Sequence, residues 1–134
     1  MSVSYLIDTD WVVHHLNGVE TIRMRLMDMK SDGLGLSVIS LAELYEGAYY
    51  SRDPEASLRQ LTIFLYDISV LEINDEICKV FGQQRGYLRQ HGLMVGDFDL
   101  LIAATCLYYD LTLLTNNRRH FQRVENFKII STEY

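Results

Sequence analysis

Residues 3–10, Val3-Ser4-Tyr5-Leu6-Ile7-Asp8-Thr9-Asp10, open with a short β-rich apolar run that halts at an acid. A run of this length without polar alternation reads as a strand buried on both faces. Similar runs recur at residues 34–38, 68–73, 111–115 and 127–130. Helical patterns separate them. Residues 19–30 place Ile22, Leu26 and Met29 on one face. Residues 40–50 follow, with Ser40 predicted as N-cap and Glu43 as its capping-box partner. Pro54 suits the first turn of a helix running to about Tyr66, and Asn74 caps a long helix through Gln90 that His91-Gly92 stops. Asp10 and Asp97 are the predicted caps of two further helices, the second very apolar through Leu100, Leu101, Ala103, Ala104 and Leu107. Strands alternating with helices predict an α/β domain with a mostly parallel sheet covered by helices on both faces. Such sheets bind ligands in a crevice beyond the carboxyl ends of their strands.

The 134 residues suffice for one domain spanning 1–134. No window approaches the ~20 apolar residues of a membrane-spanning helix, and the N-terminus lacks the basic-then-apolar pattern of a signal peptide. Cys78 and Cys106 lie in apolar helical contexts and are expected to be reduced core thiols, so the chain reads as cytoplasmic. A net charge of −6 argues against nucleic-acid binding through a broad basic face. That objection weakens where clustered acids hold a metal ion, which reverses the local field.

Several acids fall where such a cluster would form. Asp8 ends the first strand and projects into the crevice. Glu43 lies one turn into its helix among Leu41, Ala42 and Leu44, where a partly buried carboxylate needs a cation, a donor or a proton. Asp97 and Asp99 flank Phe98 at the start of the most apolar helix; capping needs only one of them, which leaves Asp99 for another role. Thr115 and Asn117 follow the fourth strand and are placed to hydrogen-bond a carboxylate or a water. Carboxylates converging on one crevice repel each other unless a cation is present. Oxygen ligands favour Mg2+ or Mn2+, which can lower the pKa of a bound water and polarise a phosphoryl oxygen. No Cys or His cluster suits zinc, and His14-His15 point in different directions along a helix.

These residues together resemble the PIN-domain ribonucleases. The resemblance rests on Leu-Ile-Asp8-Thr9-Asp10, on Glu43 in Ser-Leu-Ala-Glu-Leu-Tyr-Glu-Gly, on Asp99 in Asp-Leu-Leu-Ile-Ala-Ala and on Thr115-Asn116-Asn117, in matching order and spacing. Arg119-His120-Phe121-Gln122-Arg123-Val124 extends it, so it spans residues 3–130, and the nearest group is the VapC-type toxins of toxin–antitoxin pairs. The resemblance implies a Rossmann-like α/β sheet of about five parallel strands with the acids at its carboxyl edge, and Mg2+- or Mn2+-dependent hydrolysis of RNA phosphodiester bonds. By position, Asp8 and Asp99 are metal ligands, Glu43 is a ligand or holds the attacking water, and Thr115 is an orienting residue. It also implies a homodimer and inhibition by a small VapB-like antitoxin. The chain departs from the pattern at Asp10, where Asn or Ser is commoner. It departs again at Asn117, which often is a fourth acid, and at His120, where an acid is usual. Asp97 is an additional acid, a candidate for supporting the site from outside it.

Arg118 and Arg119 follow the fourth strand and are candidates to steer phosphates, with Arg123, Arg85 and Arg89 further away. Tyr49-Tyr50 and Tyr108-Tyr109 could stack bases, although packing or dimer contact suits them better. Two other functions compete. Asp8-Thr9-Asp10-Trp11-Val12 satisfies the Asp-x-Asp-x-Val pattern of a haloacid-dehalogenase-type phosphatase, which needs a lysine near the nucleophile; only Lys30, Lys79 and Lys128 are available. A non-catalytic binding module of the same fold would keep its acids for capping alone.

Overall fold

The structure, a computed structural model, describes residues 2–132. In chain order the elements are β1 (Tyr5–Ile7), α1 (Thr9–Leu16), α2 (Glu20–Met29), a 3-10 turn (Lys30–Asp32), β2 (Leu34–Ser37) and α3 (Val38–Tyr49). They continue with α4 (Pro54–Leu65), β3 (Ser69–Leu71), α5 (Asp75–Gln90), α6 (Asp97–Tyr109), β4 (Thr112–Leu114), α7 (Arg118–Phe121) and β5 (Ile129–Ile130). Five parallel strands form one sheet in the order β3-β2-β1-β4-β5. The chain therefore builds outward from β1 on one side, then crosses to β4 and builds outward on the other. The crevice between the carboxyl ends of β1 and β4 is the topological switch point, where such sheets bind ligands.

Alternation of side chains along the strands explains why the central runs are wholly apolar. Leu6 and Leu113 join a core with Leu100, Ile102 and Phe121 on one face. Ile7 and Leu114 join Trp11, Val12, Leu36 and Leu44 on the other. Each fully buried Leu or Ile contributes roughly 1.5–3 kcal/mol relative to exposure, so β1 and β4 cannot slip by one residue without moving these side chains to the wrong face. Gly33 leads into β2 with φ +94°, and a Cβ there would run into the Ser2 carbonyl. That close approach sets β2 against β1 in the register Tyr5↔Leu34 and so fixes Ser37 and α3 relative to Asp8.

Several local expectations are corrected. The strands are shorter than the apolar runs, and β3 is an edge strand whose Val70 is exposed, because only β2 pairs with it. Asp8, and not Asp10, caps α1: its Oδ1 accepts from the Thr9 amide at 2.8 Å. Helix α3 begins directly where β2 ends, so Ser37 is its cap and accepts from the Ile39 amide at 3.1 Å. Ser40 is consequently inside the helix and buried, and no capping box with Glu43 forms. Gly96 occupies the cap position of α6, leaving Asp97 in the first turn. Cys106 is a buried thiol as expected, but Cys78 is exposed on α5.

Candidate active site

Asp8 leaves β1 at the switch point and is buried, at 4 % exposure. Its backbone amide still donates to the Leu114 carbonyl, so the sheet holds the residue while its side chain turns into the crevice. Thr115 Oγ1, at the end of β4, donates to Asp8 Oδ2 at 2.7 Å. Burial pushes the Asp8 carboxyl up to about 7, helped by the neighbouring Asp10 and Asp99 charges and opposed by the Thr115 and Thr9 hydrogen bonds. Without positive charge nearby, the ionised form is costly at this position.

Asp10 stands two residues on, in the first turn of α1. Its Oδ1 accepts from the Trp11 amide at 2.8 Å and its Oδ2 from the Asn116 amide at 2.9 Å. The Asn116 side chain in turn accepts from Trp11 Nε1 at 3.0 Å and from the Thr132 amide at 2.9 Å. Asp10 thus bolts α1 to the end of β4, and burial raises its carboxyl above the usual range despite those donors.

Helix α3 presents Glu43 to the same place. Thr9 Oγ1 donates to Glu43 Oε1 at 2.7 Å, while the Thr9 amide donates to Asp8. One threonine therefore aligns two carboxylates that lie 35 residues apart in sequence. Asp99 enters from the first turn of α6; burial raises its carboxyl, and His120 opposes that rise with its Nδ1 at 3.1 Å from Asp99 Oδ2.

Asp8, Asp10, Glu43 and Asp99 line one cavity of about 530 Å3, with Asn117 and His120 on its wall. Of the residues singled out from sequence, Asp8, Glu43, Asp99 and Asn117 meet there directly, and Thr115 acts on the cavity through Asp8 and Asp10. Asp97 also reaches the wall but is ion-paired with Arg85. Arg118 and Arg119 stand exposed on α7, between Asn117 and His120 in sequence, with Arg118 donating to the Ile129 carbonyl at 3.2 Å. Thr9 as a bridge, Asp10 as a cavity acid and Asn116 as the anchor of Asp10 were not foreseen from the sequence. The signal was present in the Asp-Thr-Asp triplet, since a hydroxyl between two acids at a strand end is placed to serve both.

The donors are all oxygens, the set that suits Mg2+ or Mn2+ and not zinc. Among the described residues no three His, Cys, Asp or Glu side chains are close enough to grip one ion unaided. The cavity is roomy enough for the waters that Mg2+ retains, so the site fits a cation held partly through water.

The comparisons with known proteins agree with this geometry. The PIN-domain pattern matches residues 5–126. The chain is 31% identical over 126 residues to Ribonuclease VapC1 of Haemophilus influenzae strain R2866, covering 92% of this chain and 94% of that protein. It is 30% identical over 128 residues to the tRNA(fMet)-specific endonuclease VapC of Salmonella typhimurium, covering 95% of this chain and 96% of that protein. Among solved structures, VapBC2 of Rickettsia felis bound to a promoter DNA fragment superposes with TM-score 0.91 at 28% identity, covering 98% of this chain and all of that one. A five-stranded parallel sheet whose switch point gathers these acids thus coincides with a family match over nearly the whole chain, and the protein belongs to the PIN-domain family as a VapC-type member.

Proposed function

We propose that the protein is a divalent-metal-dependent endoribonuclease, the toxin of a VapBC-type pair. The observation that carries this is the convergence of Asp8, Asp10, Glu43 and Asp99 on one cavity, with the Asp8 carboxyl raised to about 7. Acids kept for capping would not be gathered where Asp10 and Asp99 raise the proton affinity of Asp8. Asp8 and Asp99 would hold the cation, with Glu43 either joining them or retaining the attacking water. Mg2+ or Mn2+, when bound, supplies the positive charge that offsets these acids and polarises a phosphoryl oxygen. Thr115 and Thr9 fix the carboxylate orientations so that little rearrangement accompanies binding. Asn117 offers the cavity a neutral side chain in place of an acid, which favours fewer cations. Arg118 and Arg119, exposed and in sequence between the cavity residues Asn117 and His120, would steer RNA phosphates toward it despite the net charge of −6.

The relatives supply the rest of the proposal. The Rickettsia felis neighbour is a VapBC structure and the Salmonella typhimurium relative is named for transfer RNA. We therefore place a VapB-like antitoxin as partner, transfer RNA as the first substrate to try, a homodimer as the assembly and the cytoplasm as the location. No helix among the described residues is long and apolar enough to cross a membrane.

The phosphatase reading finds no support at the site. Lys79 pairs with Asp75 and Glu76 on the exposed face of α5, Lys30 pairs with Asp67 and Lys128 with Asp110, and none lines the cavity. Incubating purified protein with small RNAs in Mg2+, Mn2+ or EDTA, beside an Asp8→Asn variant, tests the proposal. Cleavage that EDTA and Asp8→Asn both abolish supports it; phosphomonoester hydrolysis alone, or silence from folded protein, overturns it.

A further inference from the structure

Phe98 has no role in the fold. It sits in the first turn of α6 between Asp97 and Asp99, is 55% exposed and joins neither hydrophobic core. A large apolar side chain left in water gives up a stabilisation that burial elsewhere would supply. Yet the residue forms part of the wall of the acid cavity. The other ring on that wall, the His120 imidazole, is engaged with Asp99.

The composition of the wall points the same way. Apart from Phe98 and Gly96 it is polar or charged, made of acids that repel phosphate together with Thr9, Asn117 and His120. An aromatic ring beside a site that acts on a phosphodiester suits the flat, uncharged part of a nucleotide, the base. Unpaired bases stack on aromatic side chains irrespective of sequence, because every base has a π-face.

We propose that Phe98 is a nucleobase platform, on which an unpaired base adjoining the scissile phosphate stacks. This rests on the ribonuclease reading and adds to it a substrate requirement: the base flanking the cut must be unstacked from its neighbours, as in a loop or single strand. A platform contributes to binding in ground state and transition state alike, so its loss raises KM and spares kcat.

The test combines kinetics with fluorescence. Steady-state cleavage of a stem-loop RNA, cut in its loop, is compared for the native protein and for Phe98→Ala, Phe98→Leu and Phe98→Tyr. The expected result is a KM increase of roughly 5- to 150-fold in the Ala variant, with Leu rising comparably and Tyr near native. In a second arm, Phe98→Trp is placed in the Asp8→Asn background and titrated with the same RNA in Mg2+. The native Trp11 is wholly buried, which leaves the introduced indole as the exposed fluorophore. Quenching that saturates with RNA binding, followed independently by polarisation of labelled RNA, supports stacking. Unchanged KM in Phe98→Ala and Phe98→Leu, or RNA binding without quenching, overturns it. So does a selective loss of antitoxin affinity with KM unaltered, which would assign the ring to the protein partner. Failure of the native protein to cut any RNA would instead overturn the ribonuclease reading, and the fluorescence arm would still decide the platform.

Discussion

Thr115 Oγ1 and Asp8 Oδ2 lie 2.7 Å apart across the switch point, a hydroxyl from the end of β4 donating to the acid at the end of β1. Both residues are buried. The bond lowers the energetic cost of ionising Asp8 and, with the Thr9 amide on Oδ1, fixes the orientation of its carboxylate. Thr115→Val keeps the shape and removes the donor. It is expected to raise the Asp8 pKa further above about 7 and to cost roughly 1–3 kcal/mol of stability at alkaline pH. Carboxyl NMR titration and urea unfolding measure the two effects, and Thr115→Ser should restore both.

Asp8 also makes the metal-free protein pH-sensitive. Its folded pKa of about 7 lies above the ordinary 3.8, so the folded state retains a proton that the unfolded chain releases between those values. Stability from this group is fully present below about pH 4, falls as pH rises, and is gone above about pH 7. Its full size is on the order of 4 kcal/mol. Asp10 and Asp99 are shifted in the same direction and add to the slope. Thermal melts in EDTA across this range should show the decline, and Asp8→Asn should flatten it.

A cation reverses that penalty. Adding Mg2+ or Mn2+ at about a hundred times its Kd should stabilise the folded protein by about 2.7 kcal/mol. Melting curves at pH 8 give the shift directly. Asp8→Asn and Asp99→Asn should each shrink it, whereas Glu55→Gln, on the exposed face of α4, should leave it unchanged.

Asp10 and Glu43 separate architecture from chemistry. Both Asp10 oxygens accept from backbone amides, so Asp10→Asn leaves one amide facing a donor and should destabilise the fold by roughly 1–3 kcal/mol. Glu43 accepts from Thr9 Oγ1 through a single oxygen, and Glu43→Gln keeps an acceptor there. Urea unfolding of Glu43→Gln should match the native curve within about 0.5 kcal/mol while RNA cleavage falls by two orders of magnitude or more.

What the sequence revealed, and what it hid, follows from the range of the interactions. The apolar runs of β1, β2 and β4 were legible because burial on both faces removes all alternation, and Asp8 stood out by ending one of them. Glu43 and Asp99 were legible as acids in apolar settings. The caps were misplaced wherever a helix starts without a loop. Ser37 both ends β2 and caps α3, so a pattern that expects a turn between the two looks three residues too late. Asp10 looked like a cap because its true partner, the Asn116 amide, is 106 residues away. Thr9 escaped notice for a related reason: its partner Glu43 arrives only when α3 packs beside α1. Phe98 was visible merely as the residue between two acids, since its exposure depends on which way α6 enters the sheet.

Whether these acids hold a cation for cutting RNA is decided by a single cleavage assay. Purified protein is incubated with transfer RNA in Mg2+, with EDTA and the Asp8→Asn variant as controls, and the products are resolved on a sequencing gel. Discrete internal cuts are expected in Mg2+ and should vanish in both controls. Cuts that persist in EDTA or in Asp8→Asn would contradict that role for the acids.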